Sequence, residues 1–203
     1  MFSRYDVYTT VQSIYCYPDS NVLRNKLNIR DKDELRKAEE EFTAVKQFVL
    51  LETPVKGHFT KNHLFRIHRF LFEDVYPFAG HIRKEQISKG ETLFYPPHLI
   101  DRELTRVFHG IHDNHILLEK NELKQLRNLS YLMSELNIIH PFREGNGRSI
   151  RELTRCLALQ YGMCLNWGNT DRETLLEAAI NSVTDSMAFC DVLKVCQETG
   201  VSG

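Results

Sequence analysis

Apolar residues recur at helical spacing through most of this 203-residue chain. In residues 31–48, and just beyond, Leu35, Ala38, Phe42, Val45 and Val49 fall three or four apart, which predicts a helix with these five on its buried stripe. Asp31 or Asp33 stands where a cap is wanted, and Glu39, Glu40 and Glu41 read as a solvated run on the outer side. Pro54 and Gly57 break the pattern. A second helix starts at Thr60, carries His63, Leu64, Ile67, Leu71 and Phe72, and closes at Tyr76-Pro77-Phe78-Ala79-Gly80. A third covers residues 100–111, a fourth 119–139, and a fifth runs from near Gly147 to Tyr161, where Gly162 stops it. After a turn at residues 166–169, Thr170 or Asp171 caps a helix over residues 173–183, and a short last helix spans about 187–197. Helical spacing fails between Arg83 and Pro97. There Gln86 to Phe94 carries β-branched residues about a Lys89-Gly90-Glu91 turn, which predicts a short hairpin. The pattern is therefore all-α with one hairpin. The organisation is one domain over residues 1–203: an arm at 1–30, a core at about 31–165, and C-terminal helices at 166–203.

Composition narrows the class. Hydrophobic residues make up 42% and charged residues 26%, ordinary for a globular chain with one core. A net charge of -1 offers no basic field for nucleic acid. No apolar run approaches a membrane span, and residues 1–10 lack the apolar region of a signal peptide. Five scattered cysteines form no C-x-x-C pair and fit reduced thiols; Cys156 and Cys164 fall in or near a helix that reads as buried. His63 and His68 read as packing residues. His109, His112 and His115 recur every three residues without a cysteine or second cluster, as at a surface helix end.

Chemistry concentrates in residues 140–151, His-Pro-Phe-Arg-Glu-Gly-Asn-Gly-Arg-Ser-Ile-Arg. Pro141 ends the fourth helix at or before His140. Gly145 and Gly147 bracket Asn146, which tolerates left-handed angles, and such a turn can aim N–H groups into an anion nest. The helix that follows adds its N-terminal N–H groups and dipole. Arg148 and Arg151 share one face and can fork onto phosphate. Beside phosphates, Glu144 suits a divalent cation, and His140 can take a proton near neutral pH. A G-x-G turn or an arginine pair alone is usually structural. At this fixed spacing the set describes phosphoryl or nucleotidyl transfer to a hydroxyl.

Residues 140–151 resemble the Fic-family motif H-P-F-x-D/E-G-N-G-R-x-x-R at every fixed position. Residues 63–83 are similar to a second Fic stretch, and the likeness extends over about residues 17–165. The resemblance implies a helical Fic fold with a hairpin flap, and transfer of AMP from ATP to a Ser, Thr or Tyr hydroxyl of a target protein, with magnesium. By position it implies His140 as the base, Phe142 as the loop's core anchor, and Glu144 as the magnesium ligand. Gly145, Asn146 and Gly147 become the α/β-phosphate hole, and Arg148 and Arg151 the β/γ-phosphate clamp. In the phosphorylating Doc branch the glycine matching Gly147 is a lysine, so this chain sides with the nucleotidyl transferases. The flap, with Ile87, Ser88, Lys89, Gly90 and Phe94, would hold the target by strand addition, Ile87 and Phe94 touching it.

Many Fic proteins carry an inhibitory helix, S/T-x-x-x-E-G/N, whose glutamate pairs with the second motif arginine, here Arg151. No Ser or Thr in this chain has Glu four residues later. That resembles the toxins restrained by a separate small antitoxin. The resulting expectation is a bacterial cytoplasmic enzyme with a target protein and an antitoxin as partners. Homo-oligomerisation and secretion as an effector stay open. Transfer of another nucleotide or of phosphocholine, AMP removal, and a nucleotide-binding module without turnover are the competing readings.

Overall fold

The computed structural model describes residues 12–198; the expectations for residues 1–10 and for the tail after Thr199 lie outside them. Among the described residues there are seven α-helices: α1 (Lys32–Glu52), α2 (Lys61–Phe72), α3 (Pro97–Asp113), α4 (Glu122–Ile139), α5 (Asn146–Gln160), α6 (Arg172–Asn181) and α7 (Cys190–Cys196). The one sheet is a hairpin, β1 (Ser88–Lys89) and β2 (Thr92–Leu93), with Ser88 opposite Leu93 and Lys89 opposite Thr92. The all-α plan with a short hairpin is as the pattern predicts.

α5 sits at the centre, packed between α4 and α2. Leu129, Leu136, Ile139, Leu153, Leu157 and Ala158 are wholly buried between these helices. Burying such side chains is worth about 1.5–3 kcal/mol each, and this seam fixes the two ends of the 140–151 loop.

Boundaries move where caps decide them. α3 begins at Pro97, earlier than residue 100, because proline suits the first helical turn, where its missing N–H costs nothing. α4 begins at Glu122, because Asn121 caps Lys124 N–H while the Glu119 carboxylate accepts from Lys120 and Asn121 in the preceding turn. Asp171 caps α6 through Thr174 N–H.

α1 differs most from expectation. Its buried positions are Leu35, Glu39, Thr43 and Leu50, whereas Phe42, Val45, Phe48 and Val49 are exposed. At 100° per residue the inward stripe is rotated by roughly 80° from the apolar one. The polar pair faces inward because it meets Arg148 and Tyr76, described below. Cys164, beyond the end of α5, is exposed, while Cys156 is buried.

The described part of the arm, residues 12–30, packs onto the body. Cys16 bridges Leu23, Lys26 N–H donates to Val75 C=O, and Asn25 holds Leu23, Ile29 and itself in one turn.

Candidate active site

α4 stops where its backbone reverses hand. His140 takes φ +48°, with its N–H on Leu136 C=O, and Pro141 follows. The left-handed step turns the imidazole under the hairpin, where it stacks on Phe94 with ring centroids 3.8 Å apart. His140 Nδ1 lies 3.0 Å from Asn137 C=O. Burial pushes His140 down to about 3, with Lys89 and Arg83 adding to the effect. The ring is thus neutral, Nδ1–H donates to Asn137, and the lone pair sits on Nε2.

The loop is then built from packing. Phe142 is wholly buried, stacked 3.8 Å from His68 and edge-on to Phe65. Asn146 bonds both polar groups of Phe142, its Oδ1 accepting from the N–H at 2.9 Å and its Nδ2 donating to the C=O at 2.8 Å. This corrects one expectation. Asn146 is the first residue of α5 with helical angles, not a left-handed turn residue, and its side chain is spent on the loop. Only its backbone N–H can face a phosphate. Gly145 supplies the left-handed turn at φ +78°, and a Cβ there would meet the Phe72 ring at 2.3 Å. Gly147 is different: a Cβ would meet only Arg151 Nη1, at 3.4 Å, and would otherwise project into the cleft.

The α5 N-terminus has no side-chain cap. The N–H groups of its first turn lack an intrahelical acceptor, and the residues that carry them, Asn146, Gly147 and Arg148, line the cleft. Glu144 Oε1 accepts from Gly145 N–H at 2.9 Å. Burial, and then the charge of Glu39, raise the Glu144 carboxyl above its usual range, against the pull of Arg148.

The two arginines have unlike surroundings. Arg148 pairs with Glu39 and donates to Thr43 Oγ1 at 3.1 Å, its guanidinium over the Phe72 ring. Burial disfavours its charge, yet Glu39 and Glu144 outweigh that and hold it above the ordinary arginine value. Arg151 has no carboxylate partner among the described residues; burial and Arg148 lower it to about 10, so it stays charged at neutral pH.

Glu39, His140, Glu144, Gly145, Asn146, Gly147, Arg148 and Arg151 line one cleft of about 650 Å³, closed on one side by Lys89, Thr92 and Phe94 of the hairpin and on another by α6. That volume suits a nucleotide-sized ligand. Gly90 forms the exposed hairpin turn, and Ser88 and Lys89 are half-buried. Ile87 and Phe94, expected to touch a target, are 0% and 5% exposed and face inward in this structure.

Four residues outside the expected set hold the site. Arg83, 1% exposed, donates to the carbonyls of His140, Glu85 and Tyr95, tying the 140–151 loop to both feet of the hairpin. His68 accepts from Gly80 N–H on Nδ1 and donates to Glu144 C=O through Nε2. Tyr76 donates to Glu39 Oε2. Arg83, His68 and Tyr76 lie in the second similar stretch, a signal that marks them without giving roles. Glu39 is hidden in an acidic run, where only its four-residue spacing from Leu35 and Thr43 marks the inward face.

Comparison with known proteins agrees with this geometry. Residues 58–158 match the Fic/DOC family model. The chain is 36% identical over 177 residues to protein adenylyltransferase VbhT of Bartonella schoenbuchensis, covering 83% of this chain but 35% of that protein. It is 32% identical to the probable protein adenylyltransferase y4lH of Sinorhizobium fredii, covering 89% of this chain and 93% of that one. Its identity to the probable protein adenylyltransferase Fic of Escherichia coli is 30%, covering 93% and 94%. Thus the chain spans about a third of VbhT and nearly all of the other two. In fold it resembles the BepC protein of Bartonella tribocorum, solved with bound AMPPNP, at TM-score 0.82 and 21% identity over 91% of this chain and 96% of that one. With helices, hairpin, loop and relatives in agreement, the chain belongs to the Fic/DOC family.

Proposed function

We propose that this chain is a protein adenylyltransferase that moves AMP from ATP to a Ser, Thr or Tyr hydroxyl of a target protein and releases pyrophosphate. The observation that carries the reading is the meeting, in one cleft, of a neutral His140 with the uncapped N-terminus of α5. The naming of three relatives as adenylyltransferases or probable ones supports it. In this reading His140 Nε2 takes the hydroxyl proton, and the oxygen forms a bond to the α-phosphorus. The bond from that phosphorus to the bridging oxygen breaks, and the pair of electrons leaves with pyrophosphate. The α5 N–H groups and the arginines hold the charge that builds on the phosphates.

Glu144 fits a magnesium ion. Its carboxylate is disfavoured by burial and by Glu39, which a cation would relieve, and no cluster of three metal-binding side chains surrounds it among the described residues. Magnesium commonly takes one or two carboxylates and completes its shell with water and phosphate. When bound it would neutralise phosphate charge; Glu144 would hold it.

The hairpin, through Ser88, Lys89 and Gly90, holds the target segment by its backbone. A small antitoxin supplies a glutamate to Arg151, consistent with the absence of a carboxylate partner there among the described residues. Labelled ATP and labelled GTP, with magnesium and a cell lysate, test the reading. A labelled protein band gaining the mass of AMP with wild type and not with His140→Ala is expected. Label from GTP alone, or none with either nucleotide, would overturn it.

A further inference from the structure

We infer that Glu39, on the inner face of α1, is a positioning residue for the nucleotide, holding the Arg148 guanidinium ready for the phosphates. This rests on the reading of the α5 N-terminus as a triphosphate site. Glu39 is 7% exposed and lies 109 residues from Arg148 in sequence, yet its two oxygens are both engaged. Oε1 pairs with Arg148 Nη2, and Oε2 accepts from Tyr76 O–H. Thr43, one turn along α1, accepts from Arg148 Nη1 and donates to Glu39 C=O at 2.8 Å. Phe72, at the end of α2, lies under the guanidinium, its ring centroid 4.6 Å from Cζ. Three segments thus fix one side chain.

The location argues for more than an ordinary ion pair. A cation in the first turn of a helix is opposed by the positive end of its dipole. Arg148 stands there on α5, and Glu39 supplies the opposing charge. The protein bonds use two of the five N–H donors, so the others are left for a phosphate. Glu39 therefore does not occupy the clamp; it sets the rotamer in which the clamp faces the cleft. Losing that support leaves Arg148 to be ordered by each incoming nucleotide, which raises KM while leaving the reacting atoms untouched.

The test is nucleotide affinity and steady-state kinetics of Glu39→Gln and Tyr76→Phe in the full chain, each checked for folding by thermal unfolding. Glu39→Gln should raise both the Kd and the KM for ATP by about tenfold, as expected for a lost charged hydrogen bond, with kcat within about threefold of wild type. Tyr76→Phe, which keeps the charge pair and frees it to move, should shift KM in the same direction by less; it carries the test if Glu39→Gln does not fold. In an Arg148→Ala background Glu39→Gln should add no further loss of ATP affinity, whereas a purely structural role would add its own. An unchanged KM, additive losses, or tighter ATP binding in Glu39→Gln would overturn the inference, the last by showing Glu39 to be a competitor of phosphate. Wild type failing to bind ATP would instead overturn the triphosphate reading itself.

Discussion

His140 is at once a cap, a stacked ring and the candidate base. His140→Ala should lower AMP transfer by about 10²–10⁴-fold while ATP still binds, measured by label transfer beside calorimetric titration with ATP. Transfer at near wild-type rate would remove the assignment. Glu144→Ala should cost about 100-fold and leave a residual rate that no longer responds to added magnesium. The two loop glycines separate shape from chemistry. Gly145→Ala meets both a left-handed backbone and the Phe72 ring, so it should lower stability by about 2–5 kcal/mol. Gly147→Ala should fold normally and lose ATP affinity, since the added methyl enters the cleft. Denaturant unfolding and ATP binding on the two variants check this contrast. The residue types and spacing of 140–151 made the candidates legible. The partners of Arg148 were not, because they depend on which side chains the helices bring within reach from more than a hundred residues away; those of Asn146 are the backbone groups of nearby Phe142, and residue types alone do not mark such a bond.

At the scale of elements, α1 shows where periodicity misleads. A hydrophobic stripe marks the buried face only when that face meets apolar neighbours. Here the inward face meets the Arg148 guanidinium, so Glu39 and Thr43 turn in and Phe42 and Val45 turn out. Phe42→Ser with Val45→Ser should therefore change stability by less than about 1 kcal/mol, whereas Leu50→Ala, at 1% exposure, should cost about 2–5 kcal/mol. Urea unfolding of the two variants distinguishes the observed face from the apolar one. Helix existence was legible throughout, because propensity and caps are local. The starts of α3 and α4 shifted by three residues each, as Pro97 and Asn121 chose them.

Taken as a whole, the molecule brings two buried histidines to the junction of α2, α4 and α5, His68 and His140, each pushed by burial down to about 3. The sign follows from proton linkage. Unfolded histidines take protons near 6.5, these two do not until about 3, so the unfolded state binds more protons and stability falls as pH falls from 6.5 towards 3. Each contributes up to about 1.4 kcal/mol per pH unit in that window. Glu144, raised instead, works in the opposite direction. His68→Gln should reduce proton uptake on unfolding between pH 5 and 6 by about one, read from the slope of stability against pH. An unchanged slope would mean that His68 is charged in the folded protein.

Regulation is the remaining question at this scale, and the unequal arginines frame it. Arg148 carries its counter-charge in cis through Glu39, while Arg151 has no carboxylate partner among the described residues. A half-buried cation without a carboxylate partner favours any anion that reaches it, phosphate or carboxylate alike. The purified chain alone should therefore transfer AMP and be toxic when expressed by itself. A small helical partner carrying S/T-x-x-x-E-G/N should suppress transfer at least tenfold by placing its glutamate on Arg151. Replacing that glutamate by glycine should restore activity, because losing one member of a buried charge pair can cost about 3–5 kcal/mol. Transfer rates of the lone chain, and with each form of the partner, decide the matter. A lone chain inactive on every lysate protein, and activated by trimming its own terminal residues, would place the inhibitor in cis and overturn the expectation of a partner in trans.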